Sequence, residues 1–264
     1  MSQVDHLKGA TDDLPAGHRE VSAQLTGARA RARALPGPPS GLPDTLDEAY
    51  RIQAHSIAAW NDSVAGWKVG GVPPAYRERF DQTWLAGPIF ARQVKTVEQG
   101  GNVSMPVFVG GFAAIEPEFI FQLGDTRKDD RLFIGAEIAS SPIPDINDYG
   151  PVAVITDFGN NHGLAVGPEI ADWRHRDGAI IVTTHIDGQT IAEKSLVDFR
   201  EGAHEALAFL LELGESRNLA LEPGTYVSSG AITGVHEAKP GARGKLDFGP
   251  LGNFSVDLVA ADGS

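Results

Sequence analysis

Apolar positions along this chain recur first at a helical period and then in short strand-like runs, and the change divides the sequence in two. From Arg19 to Ala34, Val21, Leu25, Ala28 and Ala32 fall at helical spacing while Arg29, Arg31 and Arg33 line other faces, which predicts a helix with a solvated arginine face. Residues 1–19 are polar and without a clear period, so a mobile or loosely docked start is expected. Leu35-Pro-Gly-Pro-Pro-Ser-Gly-Leu-Pro43 then stops any helix, because its prolines fix φ and remove backbone donors. Thr45-Leu-Asp-Glu48 has the form of a capping box and opens a second helix running to Trp60.

From Trp67 onward the runs are short and separated by Gly, Pro, Asn and Asp, which predicts strands at 67–69, 88–90, 107–109, 115–123, 135–139, 152–156, 164–166 and 179–184. A helix over 196–213, with Ala203, Leu207, Leu210 and Leu211 on one face, interrupts them before strands return at 225–228 and 252–258. The expectation is an α+β chain with an N-terminal helical segment, 1–65, ahead of a β-rich domain, 66–264.

With 264 residues the chain can bury a substantial core. Its net charge of −13 argues against nucleic acid as a partner, since a phosphate backbone is held by clustered Lys and Arg. Cysteine is absent, which removes disulfides, thiolate metal sites and thiol nucleophiles, so any metal must use oxygen or imidazole. No apolar run approaches the roughly 20 residues of a membrane span, and the N-terminus carries no signal-like stretch. A cytoplasmic protein with no membrane partner is therefore expected, and the sequons at Asn61, Asn102 and Asn253 read as chance.

Glu116-Pro117-Glu118 places two carboxylates inside a segment otherwise built for burial, among Ile115, Phe119, Phe121 and Leu123. Side chains two apart on a strand share a face, so the two carboxylates converge. A bare Glu-x-Glu is also the mark of a solvated strand face, but unpaired carboxylates beside such a core are costly unless a cation or base partners them. Glu137, in a second apolar run, could approach from a neighbouring strand. Three acidic oxygens with open positions suit Mg²⁺ or Mn²⁺.

Other residues read two ways. Lys68, between glycines in Gly66-Trp-Lys-Val-Gly-Gly71, is either an exposed edge-strand lysine or the cation beside a developing enolate. Gly230, in Tyr226-Val-Ser-Ser-Gly-Ala-Ile-Thr233, marks either an ordinary strand-to-turn change or a close backbone approach at which Ser229 and nearby amides meet a substrate oxyanion. His162, in Asp157-Phe-Gly-Asn-Asn-His-Gly163, reads as a loop histidine. No Gly-x-Gly-x-x-Gly, Walker A, His-Glu-x-x-His or Gly-x-Ser-x-Gly motif occurs, so nucleotide binding, zinc proteolysis and the common serine-hydrolase plan lack support.

Five segments in order, 42–53 (Leu-Pro-Asp-Thr-Leu-Asp-Glu-Ala-Tyr-Arg-Ile-Gln), Gly66-Trp-Lys-Val-Gly70, Ile115-Glu-Pro-Glu-Phe119, Ala136-Glu-Ile138 and Ser229-Gly-Ala-Ile-Thr233, resemble the 2-keto-4-pentenoate hydratase and 4-oxalocrotonate decarboxylase family of the fumarylacetoacetate hydrolase superfamily. The resemblance implies a mixed β-sheet roll, with Glu116, Glu118 and Glu137 as ligands of Mg²⁺ or Mn²⁺, Lys68 as the catalytic lysine, and Ser229 and Gly230 against the substrate. It also implies a homo-oligomer, with residues 66–264 as the catalytic domain, acting in aromatic catabolism on a small 2-oxo acid or its dienol. The expected activity is that of a hydratase-like lyase, with a decarboxylase or acylpyruvate-type C–C hydrolase as the alternative. An alternative of another class is a non-catalytic oligomeric or ligand-binding relative.

Two features depart from the family pattern. In Asp81-Gln-Thr-Trp84, Trp84 stands where the hydratases carry a second acid. Glu118 and Glu137 are 137 − 118 = 19 positions apart, a short spacing that implies the loss of an intervening helix.

Overall fold

A computed structural model of the chain describes residues 14–263. The runs at 115–123 and 135–139 fall in its two longest strands, β5 (Phe112–Gln122) and β6 (Arg131–Ser141), antiparallel neighbours in register over their full length. Both are buried on both faces almost throughout, so neither shows the alternation of a half-exposed strand.

Around this pair a mixed eight-stranded sheet runs in the order β2 (Trp84–Phe90), β1 (Val64–Gly71), β10 (Tyr226–Ser228), β5, β6, β7 (Asn161–Glu169) and β3 (Val94–Thr96), with β11 (His236–Glu237) also paired to β5. A five-stranded sheet orders β4 (Asn102–Val107), β13 (Asn253–Ala260), β12 (Arg243–Asp247), β8 (Ile180–Ile186) and β9 (Gln189–Leu196). Phe119, Phe121 and Ile134 of the large sheet join Leu246, Phe254 and Val256 of the small one in a single core, closed by Ala203, Leu207 and Leu210 of α5 (Glu201–Arg217).

A second core joins α1 (Ala16–Ala30), α2 (Leu46–Ala59) and α4 (Gly150–Thr156) to the other side of the large sheet through Leu25, Ile52, Ile155, Leu85 and Ala139. Thr45 caps α2 by accepting from Glu48 N–H at 3.2 Å, and its hydroxyl donates to Glu48 Oε2 at 2.8 Å. Such a cap is worth about 1 kcal/mol. Gln53 of α2 donates to the carbonyls of Ala86 and Ile155, tying that helix to β2 and α4 at once.

Several sequence expectations are corrected. Residues 152–156 form helix α4 rather than a strand: Pro151 sits in its first turn, Gly150 enters with φ +76°, and every residue is buried, which erases the helical period. Leu196 ends β9, and the helix expected from that point starts at Glu201 and runs to Arg217. Strands β9 and β12 and the short helix α3 (Pro74–Phe80) carry too many exposed polar positions to register as apolar runs. Leu14 is buried and α1 begins at Ala16, so the loosely docked start does not extend that far; residues 1–13 lie outside the described residues. Arg29 is buried rather than part of a solvated face. The chain joins β5 to β6 by residues 123–130 with no helix between them.

Candidate metal centre

Register places the carboxylates. Glu116 and Glu118 share one face of β5, and Glu137 of β6 lies directly opposite Glu116. All three are buried, and each offers an oxygen within 4.8 Å of the others. Lys68 comes from β1, two strands away, and its Nζ is 3.3 Å from Glu137 Oε2. It is 4% exposed, between β2 and β10, so it is not an edge-strand lysine.

Neighbouring groups hold one oxygen of two of these carboxylates and leave the other. Glu118 Oε2 accepts from the Ser228 hydroxyl and, at 2.8 Å, from the Gly230 N–H. Glu118 Oε1 is buried without a hydrogen-bond partner. Glu137 Oε1 accepts from Asn161 Nδ2 at 3.0 Å, and its Oε2 has only the ion pair with Lys68. A buried carboxylate oxygen with no donor is costly, and two facing a third carboxylate compound the cost. This donor set fits a hard divalent cation, which takes carboxylate oxygens at roughly 2.0–2.6 Å.

Three carboxylates face one ammonium, and the electrostatics follow. Burial, then the neighbouring Glu137 charge, pushes the Glu116 carboxyl up to about 8 from its ordinary 4.5. Burial followed by Glu137 and Glu116 also raises Glu118 well above the ordinary range, against the Ser228 hydrogen bond. For Lys68, burial alone would lower the pKa, but Glu137, Glu116 and Glu118 together raise it, so the ammonium stays charged.

Of these groups, Lys68 and Glu116 reach a cavity of about 510 Å³, bordered also by Trp84, Phe119, Phe199 and Gly230 among others. Ser229 and Gly230 both line it, but their amides are already engaged: Ser229 N–H donates to Phe119 O and Gly230 N–H to Glu118. Gly230 has φ +94°, which the turn reserves for glycine, and a Cβ there would meet Val69 O at 3.3 Å and touch the Trp84 ring at 3.4 Å. Trp84 thus lies at the cavity wall. Asp198, also in the lining, is clamped by the Arg200 backbone and guanidinium, which hold its carboxyl below the usual range.

Ser228, Asn160 and Asn161 also belong to the site, although no motif marks them in the sequence. Asn161 supports Glu137, and Asn160 lines the cavity. Both follow Phe158 (φ +55°) and Gly159 (φ +67°), and Asn160 itself has φ +53°. A left-handed bulky residue costs about 1–2 kcal/mol, and an Asn-Asn step after Gly was the available signal of such a turn. His162 is not a loop residue; it lies in β7 against Arg29 and the Phe108 ring, facing a second cavity of about 350 Å³. Burial and the Arg29 charge push it down to about 3.

The same fold occurs in 4-oxalocrotonate decarboxylase from Pseudomonas putida G7, solved with magnesium and adipate, at a TM-score of 0.73 over 92% of this chain and 97% of that one, with 18% identity. The fold is fumarylacetoacetate hydrolase-like. Fumarylpyruvate hydrolase from Pseudomonas aeruginosa, solved with Mn²⁺ and pyruvate, aligns at 0.53 over 74% of this chain and 89% of that one, with 19% identity. 5-Carboxymethyl-2-hydroxymuconate delta-isomerase from Mycobacterium smegmatis aligns at 0.50 over 76% and 81%, with 15% identity. No family model matches the chain, and no curated protein matches its sequence.

Proposed function

We propose that this protein is a divalent-metal-dependent lyase of the fumarylacetoacetate hydrolase superfamily, acting on a small 2-oxo acid or its dienol. The observation that carries the proposal is the buried Glu116–Glu118–Glu137 cluster, in which two oxygens accept no hydrogen bond and from which Glu116 lines an open cavity. Solved structures of the same fold hold Mg²⁺ or Mn²⁺ together with small carboxylates. When bound, Mg²⁺ or Mn²⁺ supplies Lewis acidity toward the carboxylate and 2-oxygen of a 2-oxo acid, easing enolate formation.

The chain's own residues do the rest. Glu116, Glu118 and Glu137 hold the cation, with Ser228, Gly230 N–H and Asn161 orienting two of them. Lys68, charged and beside Glu137, offsets negative charge at the enolate and exchanges a proton with it. Phe119, Phe199 and Trp84 supply apolar wall that limits water. Ser229 lies where a substrate would meet the cavity wall.

Among reactions that pass through this enolate, decarboxylation fits best. It needs an electron sink and one proton, whereas hydration needs a base for water; Trp84 stands where that acid was expected, and Asp198 is taken by Arg200. A hydratase-like lyase is the second reading, favoured by Lys68, whose ammonium is placed to protonate a dienol. A homo-oligomer is expected on either reading.

Turnover of a panel of 2-oxo diacids, 2-hydroxydienoates and acylpyruvates, followed by ultraviolet absorbance with Mg²⁺ or chelator, tests the proposal. Metal-dependent loss of CO₂ from a 2-oxo diacid is expected. Turnover unchanged by chelation, or binding of metal and oxalate with every panel member intact, would overturn it, the latter in favour of a non-catalytic binding relative.

A further inference from the structure

The left-handed turn ahead of β7 is pinned at both ends and presents one side chain between them. On one side Asp157 is fixed by Arg29 and by the Ser141 hydroxyl. On the other, Asn161 is fixed by Glu137. Between them, the Asn160 N–H donates to Asp157 O at 2.9 Å, so its backbone donor is satisfied.

The residue is 4% exposed and lines the same cavity as Lys68 and Glu116. Asn160 Oδ1 is buried with no hydrogen-bond partner, and among the described residues it is the one such side-chain oxygen that does not belong to a carboxylate. A buried acceptor held without a donor by a strained turn points to a donor that arrives with a ligand. Two other polar side chains of the lining do not compete for that donor: Asp198 is bound by Arg200, and the Trp84 indole only donates.

We propose that Asn160 is a substrate-contacting residue whose Oδ1 accepts a hydrogen bond from a hydroxyl of the bound ligand, so that the cavity favours the 2-hydroxy or enol form over ligands offering only acceptors. The inference rests on the metal-dependent 2-oxo acid reading.

Calorimetric titration of the Mg²⁺-loaded protein with two small probes tests it: glycolate, which carries a 2-hydroxyl donor, and oxalate, which carries none. Asn160→Gly removes the amide and suits φ +53°. It should weaken glycolate about three- to tenfold while oxalate stays within about twofold, since one neutral hydrogen bond is lost. A structural role would instead weaken both together and lower the melting temperature. Asn160→Asp keeps an acceptor and tolerates the left-handed backbone, so it should leave the glycolate-to-oxalate affinity ratio undiminished. Equal losses for the two probes, or no loss for glycolate, would overturn the Asn160 assignment alone. Failure of oxalate to bind the Mg²⁺-loaded wild type would overturn the underlying metal-site reading and this inference with it.

Discussion

Two ionic clusters are buried among the described residues, and they are built in opposite ways. In the first, the Arg29 guanidinium grips Asp157 bidentately at 2.6 and 2.8 Å and donates further to the carbonyls of Asn161, Ser140 and Asp157. Asp157 also accepts from Ser141, and Arg29 lies against the Phe108 and Phe158 rings. Charge is balanced and both carboxylate oxygens are bonded. In the second, three carboxylates share one lysine and two oxygens have no hydrogen-bond partner. The first cluster is saturated as folded, and the second leaves two buried carboxylate oxygens without a hydrogen bond. The turn 157–161 joins them, carrying Asp157 at one end and Asn161, which supports Glu137, at the other.

Breaking the balanced cluster has the larger effect on stability. Arg29→Ala leaves Asp157 buried and unpaired, so unfolding in urea should show a loss of about 3–5 kcal/mol. Relieving the unbalanced one should act in the opposite direction. Glu118→Gln keeps an acceptor for Ser228 and Gly230 but removes a carboxyl whose raised pKa costs stability as pH climbs above the ordinary carboxylate range; the metal-free protein should be more stable in thermal or urea unfolding, by more at pH 8 than at pH 5. The same substitution should weaken Mn²⁺ by about 100-fold or more, a loss on the order of 3 kcal/mol. A destabilised Glu118→Gln protein would make the two clusters alike. Ser228→Ala sharpens the contrast more gently: releasing Glu118 from its hydroxyl should reduce Mn²⁺ affinity about tenfold, read by titration calorimetry, with little change in metal-free stability.

The sequence carried one of these clusters and concealed the other. Glu116 and Glu118 stand out because strand alternation puts both on one face of an apolar run, and the register of β5 with β6 then brings Glu137 opposite Glu116. Arg29 looked like one of several surface arginines because its partner is 128 positions away. No local period reports a pairing made by tertiary packing, and the same holds for Ser228, whose hydroxyl reaches Glu118 across 110 positions. Helix α4 is hidden for a related reason: burial on every side leaves no polar face to mark its period, so its Val and Ile residues resemble a strand. The edge strand β9 failed from the opposite cause, being mostly exposed.

Titration of Mn²⁺ into metal-free protein at pH 6 and pH 8 tests the central claim most directly. Glu116, raised to about 8, holds a proton at pH 6 that a cation must displace, and Glu118 is shifted in the same direction. One ion per chain is predicted, bound more tightly at pH 8 and releasing protons at pH 6, with Glu118→Gln abolishing the signal. An absence of binding at both pH values, or binding indifferent to pH and to Glu118→Gln, would contradict the account.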